Sequence, residues 1–198
     1  MHDNMKSKVL RKTKETNVAV SINLRGGGKH KIFTTIPFLD HMLSLFSMHG
    51  LVDLTLQASG DTDVDQHHLV EDVGITLGTA IRKALGSKKG ISRYGNFLVP
   101  MDEALSYVVV DISSRPYLHY NVRFRRSLVR GDFDFGLIED FFRAVATNGG
   151  LTLHISLQHG KNNHHICESI FKGFGKALSI AVRLQPGLKG CPSTKGKL

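Results

Sequence analysis

The sequence has no tryptophan and two cysteines, Cys167 and Cys191, in 198 residues. That is too few for a disulfide framework, so the fold must rest on a buried core. No run of 18 apolar residues occurs, so no membrane-spanning helix is expected. The opening segment MHDNMKSKVLRKTKE lacks the apolar stretch of a signal peptide, and the chain reads as cytoplasmic. Acidic residues are scarce: 17 against 26 Lys and Arg, a formal charge of +9. Such an excess attracts nucleic acid, lipid headgroups or small phosphorylated molecules. The cations gather at the two ends and at Arg123-Phe124-Arg125-Arg126. They form no stripe interleaved with aromatics, so neither nucleic acid nor membrane is the expected partner. A small phosphorylated substrate is. With 41% hydrophobic and 22% charged residues the composition is that of a globular chain. Its length suits one domain or two small fused ones.

What the chain does have is a repeat of itself. HHLVEDVGITLGTAIRKAL from His67 returns as HHICESIFKGFGKALSIAV from His164, 97 residues later. Upstream, Asp40-His41-Met42-Leu43 with His49-Gly50 corresponds to Glu139-Asp140-Phe141-Phe142 with Asn148-Gly149, 99 residues later. Further up, ETNVAVSINL from Glu15 corresponds to EALSYVVVDI from Glu103, at a spacing of 88. The elements keep their order, which predicts a duplicated half of about 90 residues, joined near Gly95–Pro100. The expected units are residues 1–96, residues 97–184 and a tail, 185–198, in one compact body. Each half predicts β-branched strands at Val18–Leu24 or Tyr107–Ile112, then near Lys31–Thr35 or at Tyr117–Phe124. A helix follows, Pro37–Met48 or Phe135–Thr147, then a strand, Asp53–Ala58 or Leu151–Leu157. A long helix opening at each His-His pair ends the half. The halves are α+β, each a mostly antiparallel sheet with helices on one face. Gly26-Gly27-Gly28 reads as a hairpin turn, because no Lys-Ser/Thr ending follows to make it a phosphate loop. Gly86–Ser92 and the tail read as loop, the tail ordered only if something ties it down.

On a helix His67 and Glu71 share a face, and so do His164 and Glu168. Each pair can chelate one ion. His68 and His165 are rotated by about 100° and reach elsewhere. Four imidazoles and two carboxylates suit Mn, Fe or Zn better than Mg or Ca. One His-His-x-x-Glu alone is commonly a capped, solvated helix start. Two copies at equivalent places are stronger, since duplication preserves folds without preserving ligands. His41 and Asp140 stand at equivalent places on the preceding helices as further candidates. Cys167 reads as a small buried hydrophobe.

These residues also resemble a known family. Pro37-Phe38-Leu39-Asp40-His41-Met42-Leu43 with His49-Gly50, Asp65-Gln66-His67-His68-Leu69-Val70-Glu71-Asp72 and Met101-Asp102-Glu103-Ala104-Leu105 are part of the resemblance. Ser114-Arg115-Pro116 and Asn163-His164-His165-Ile166-Cys167-Glu168 with Phe171-Lys172 complete it. Together they are similar to imidazoleglycerol-phosphate dehydratases, over about Lys12 to Lys195. The resemblance implies a duplicated βαβ-type fold like the second domain of ribosomal protein S5. It implies two Mn2+ per active site. One would take His41, His67, Glu71 and His165; the other would take His68, His164, Glu168 and Asp140, where family members commonly carry His. It implies dehydration of imidazole glycerol phosphate to imidazole acetol phosphate in histidine biosynthesis, through an imidazolate held by both metals, with Glu15 as acid/base. Substrate contacts would fall on Glu15, His49, Arg93, Arg115, Lys172, Ser193, Thr194 and Lys195, with the tail closing over the substrate. Glu103, the repeat partner of Glu15, reads as structural or as support for a ligand. The resemblance further implies a hollow 24-subunit homo-oligomer with active sites at subunit interfaces. A dinuclear hydrolase and a metal-free RNA binder stay open as alternatives. The first lacks its usual bridging Asp residues, and the second leaves both His-His motifs without a purpose.

Overall fold

The computed structural model describes residues 5–125, 133–188 and 190–196. Arg126 of the basic cluster and residues 189, 197 and 198 of the tail lie outside them. Strands β1 (Lys6–Lys12), β2 (Thr16–Asn23), β3 (His30–Phe33) and β4 (Asp53–Gly60) form one sheet in the order β1-β2-β4-β3. Strands β5 (Tyr94–Met101), β6 (Ala104–Asp111), β7 (Tyr117–Asn121) and β8 (Thr152–His159) form the second, in the order β5-β6-β8-β7. The order is the same, and in each sheet only the third strand runs parallel to its neighbour. Helices α1 (Pro37–Gly50) and α2 (His67–Leu85) belong to the first half, α3 (Leu137–Gly149) and α4 (Asn163–Ala181) to the second. This is the α+β duplication the repeat predicts, and it agrees with solved structures described below.

Alternation sets the buried face of each sheet. In β2, Val18, Val20 and Ile22 point inward, opposite Ala58, Leu56 and Leu54 of β4. In β6, Val108 and Val110 face Ile155 and Leu153 of β8. Those faces carry the helices, and the helical faces of the two halves pack on each other. The pairing is crossed: α1 lies on α4 and α2 lies on α3. Glycine allows the close approach. A Cβ at Gly175 would sit 2.5 Å from the Phe46 carbonyl oxygen, and one at Gly78 would sit 2.7 Å from that of Val145. These two contacts correspond under the repeat. Phe46 and Phe174 stack at 5.1 Å between α1 and α4.

Two strands were not expected from sequence. β1 is a lysine-rich edge strand, and β5 occupies the segment read as the joint. The tail is tied down as its composition alone does not promise. Gly90 N–H donates to the Gly190 carbonyl at 2.9 Å, and Gln185 N–H to that of Gly90 at 2.8 Å.

Candidate metal centre

Both motif helices begin the same way. The Asp65 carboxylate accepts from the His67 N–H at 2.7 Å, and the Asn162 side chain accepts from the His164 N–H at 2.9 Å. These residues stand two before each His-His pair and satisfy an otherwise orphaned donor. The first turn is thereby pinned, and with it the direction of each imidazole.

Along α4, His164 and Glu168 meet as the helical spacing predicts, Nε2 to Oε1 at 3.0 Å. His41 joins them from α1, its Nε2 at 3.4 Å from the same oxygen. The three donor atoms lie within 4.8 Å of one another. Phe38 sets its ring edge-to-face on His164 at 5.5 Å. The resemblance implies a different set, His41 with His67 and Glu71, completed between subunits; within one chain His41 lies beside His164 and Glu168. The crossed packing, α1 on α4, accounts for this proximity within one chain. By the same crossing, α3 brings Asp140 to the helix of His67 and Glu71. His67 and Glu71 are exposed and Asp140 half-buried, and none joins a close donor group among the described residues.

Glu168 is 8% exposed. Burial pushes its carboxyl upward, but the Lys172 ammonium at 2.6 Å, with His41 and His164, holds it below its ordinary value. Lys172 also lies 3.2 Å from the Met101 sulfur. A cationic group thus already stands at this carboxylate, where a metal ion would also be favoured. His49, on the last turn of α1, is shifted down by burial and then by the charges of Lys172 and Lys176. It is therefore a neutral ring near a cationic patch.

A second group gathers Glu15, Asp61 and His68, also within 4.8 Å. His68 Nδ1 lies 3.1 Å from Asp61 Oδ2 and 3.7 Å from Glu15 Oε2. Asp61 above all, then Glu15, raises the pKa of the imidazole. The other Asp61 oxygen, Oδ1, is buried with no hydrogen-bond partner among the described residues. An unpartnered acceptor beside an imidazole and a second carboxylate is a set that could hold a cation.

The repeat-related His165 is held more firmly. Its Nδ1 lies 2.7 Å from Glu103 Oε2, while Glu103 Oε1 accepts from the Lys161 and Asn162 N–H groups at 3.0 and 2.7 Å. The His165 contact and then these N–H groups hold the Glu103 carboxyl down to about 2. A carboxylate on Nδ1 fixes the ring and leaves Nε2 for a metal. Glu103 thus fixes the His165 ring, whereas Glu15 is 57% exposed and meets its histidine only at 3.7 Å. The two repeat partners differ in their contacts: on His68, the near carboxylate is Asp61 at 3.1 Å, where His165 has Glu103. Sequence reasoning missed Asp61, since its repeat position in the second half is not acidic.

Behind the second group, Thr16 donates to Asp72, and Arg11 Nε donates to the same carboxylate at 2.8 Å. This buried link joins the turn bearing Glu15 to α2. The remaining expected substrate residues lie at the other end of the second sheet. Arg93 forks onto Asp111, Arg115 is exposed, and Ser193, Thr194 and Lys195 follow in the docked tail. The N–H of Lys195 donates to the Ser193 hydroxyl at 3.2 Å. Cys167 is fully buried, and burial pushes its thiol up. No described helix is long and apolar enough to cross a membrane.

Comparison with known proteins places this geometry. Residues 34–178 match the family model of imidazoleglycerol-phosphate dehydratase. The enzyme of that name from Desulfotalea psychrophila is 55% identical over 98% of this chain and 97% of its own. The one from Alkaliphilus metalliredigens is 55% identical over 95% of this chain and 96% of its own. The crystal structure of the Staphylococcus aureus enzyme superposes with a TM-score of 0.81 at 42% identity, covering 91% of this chain and 99% of that one. The Pyrococcus furiosus enzyme, solved with (S)-C348, gives 0.82 at 39% identity, over 96% and 100%.

Proposed function

This chain belongs to the imidazoleglycerol-phosphate dehydratase family, and from that premise we propose that it removes water from D-erythro-imidazole glycerol phosphate in histidine biosynthesis, giving imidazole acetol phosphate. It is then a carbon–oxygen lyase acting on a small phosphorylated molecule. Neither nucleic acid nor membrane takes part, and the compartment is the cytoplasm. The observation that carries the reading is the convergence of His41, His164 and Glu168 from two different repeats onto one point.

Two manganese ions per active site fit the donors present. His41, His164 and Glu168 would hold one. His67, His68, Glu71, Asp140 and His165 supply the other positions, with neighbouring subunits of a 24-subunit particle completing each set. Manganese bound there supplies Lewis acidity to the substrate's imidazole and makes its N–H acidic. Glu103 keeps His165 oriented and, being fully engaged, moves no proton. Glu15 is exposed and loosely held, so it is the carboxylate that takes the carbon-bound proton. That proton and the departing hydroxyl leave together as water, and the enol left behind tautomerises to the ketone of imidazole acetol phosphate. Arg93, Arg115, Ser193, Thr194 and Lys195 would bind the phosphate end; Lys172 and His49, at the opposite end of the same chain, would join them across a subunit interface. Arginine and lysine supply the forked and the point charge that phosphate takes. Residues 1–96, 97–184 and the tail, 185–198, are the working units.

The test measures conversion of imidazole glycerol phosphate with and without Mn2+, beside elemental analysis. Manganese-dependent product, lost in His67→Ala and His164→Ala, is expected. Phosphate release alone, or under about one transition metal per chain after manganese supplementation, would sink the reading.

A further inference from the structure

We propose that Asp111 is a positioning residue: by gripping Arg93 it docks the last segment of the tail and presents the phosphate-binding end of the site. The phosphate half of this statement rests on the function proposed above; the docking half does not.

Asp111 closes β6. Arg93 precedes β5, directly across the sheet edge. Its Nε donates to one Asp111 oxygen at 2.7 Å and its Nη2 to the other at 3.2 Å, a forked pair. The two side chains are 11% and 17% exposed, so the pair is largely removed from water. Nη1 of Arg93 donates to the Pro192 carbonyl at 3.0 Å. Among the described residues, this is the one hydrogen bond that joins residues 191–196 to the rest of the chain. The others in that segment are internal.

The backbone shows that the placement of Arg93 is built. Its φ is +71°, a left-handed conformation that arginine adopts at a cost. Hydrogen bonds hold it there from both sides. Ser92 N–H donates to the Arg183 carbonyl at 2.7 Å and Arg93 N–H to that of Ala181 at 2.9 Å. The Arg93 carbonyl accepts from Ile112 N–H at 3.1 Å, next to Asp111. A strained, four-way-anchored arginine is more than a surface cation.

The donors can be counted. A guanidinium has five N–H groups. Two meet Asp111 and one meets Pro192, leaving one on each terminal nitrogen for an anion. Arg115, 69% exposed, brings its Nη2 to 3.9 Å from the same carboxylate. Asp111 thus lowers the repulsion between two arginines and fixes the direction of one. Being an anion, it touches no phosphate itself; it acts through Arg93. Tail docking and phosphate binding then share one side chain.

The test uses the full-length, manganese-loaded protein and Asp111→Asn, with Arg93→Lys as a second variant. Asparagine keeps the shape but turns a donor toward Arg93, and lysine keeps the charge but loses the fork. Two readouts are taken. The first is the rate at which a thiol reagent labels Cys191, which lies beside Pro192; Cys167 is fully buried and stays silent. Both variants should label about tenfold faster or more, the change expected on losing a charge-assisted hydrogen bond. The second is kinetics. KM for imidazole glycerol phosphate should rise about tenfold while kcat stays within about twofold. Wild-type labelling rates in both variants overturn the proposal, and so does faster labelling with unchanged KM. If wild-type protein does not dehydrate the substrate at all, the functional reading fails, and labelling alone still decides whether Asp111 docks the tail.

Discussion

Replacing Gly175 by alanine should destabilise this protein, although the same change in a solvent-exposed helix stabilises by about 1 kcal/mol. Gly175 lies on α4 where it crosses α1. An added Cβ would stand 2.5 Å from the Phe46 carbonyl oxygen and 3.0 Å from Gly50 N. Ordinary contact begins at 3.4 Å, so the first of these is short by 0.9 Å. Both neighbours are backbone, and neither can turn aside as a side chain would. Relief requires α1 to move off α4 by roughly 1 Å in a close-packed interior. Overpacking of this kind costs about 1–3 kcal/mol, so against the helix-propensity gain the net loss is up to about 2 kcal/mol. For a chain of this size that lowers Tm by about 2–4 °C per kcal/mol. The displacement also draws His41 away from His164 and Glu168, so Mn2+ affinity should fall with stability. Thermal unfolding and a metal titration measure the two effects. Gly78→Ala, at 2.7 Å from the Val145 carbonyl oxygen, should behave alike in stability. Gly27→Ala, with nothing within 4 Å, should change nothing. A Tm for Gly175→Ala raised by the full amount that the helix-propensity gain alone would give would refute the crossed-helix account.

Glu103→Gln should weaken metal binding about 10–100-fold by releasing His165 while leaving the fold intact, as read by manganese titration and circular dichroism. Asp72→Ala strips Thr16 and Arg11 of their acceptor and should cost about 1–3 kcal/mol in urea unfolding. It should also lower activity per folded chain, since the turn bearing Glu15 loses its link to α2. Asn162→Ala removes the cap of α4 and should cost about 1 kcal/mol, measured by the same unfolding assay.

Much of the fold is legible because the repeat is legible. A spacing of 97 residues pairs not only the His-His motifs but also Asp65 with Asn162, and Gly78 with Gly175. β1 escaped reading because lysines alternate along an edge strand whose faces are not fully buried. β5 escaped because Gly95 and Pro100 look like a joint. In the fold, Pro100 is tolerated on an edge strand, and Gly95 is required where β5 passes over the Ala177 carbonyl. Periodicity made the candidate site legible as a list of residues, while their proximity within one chain needed the fold. Helical periodicity says which face of α1 is apolar; it does not say that the face meets α4 and not α2. The difference between Glu15 and Glu103 was read through the resemblance; its physical basis, Asp61 and two backbone N–H groups, appears only in the folded loop.

The Phe46–Gly175 contact and the Val145–Gly78 contact exchange under the repeat, each half giving a carbonyl and receiving a glycine. That reciprocity is the mark of an isologous interface, the kind by which two identical chains make a twofold dimer. Here it lies inside one polypeptide. A half-length ancestor carrying both surfaces would have had to find a second copy of itself before it could bury them. Fusion removed the concentration dependence of that encounter. It also freed the two copies to diverge, as Glu15 and Glu103 have in what they touch.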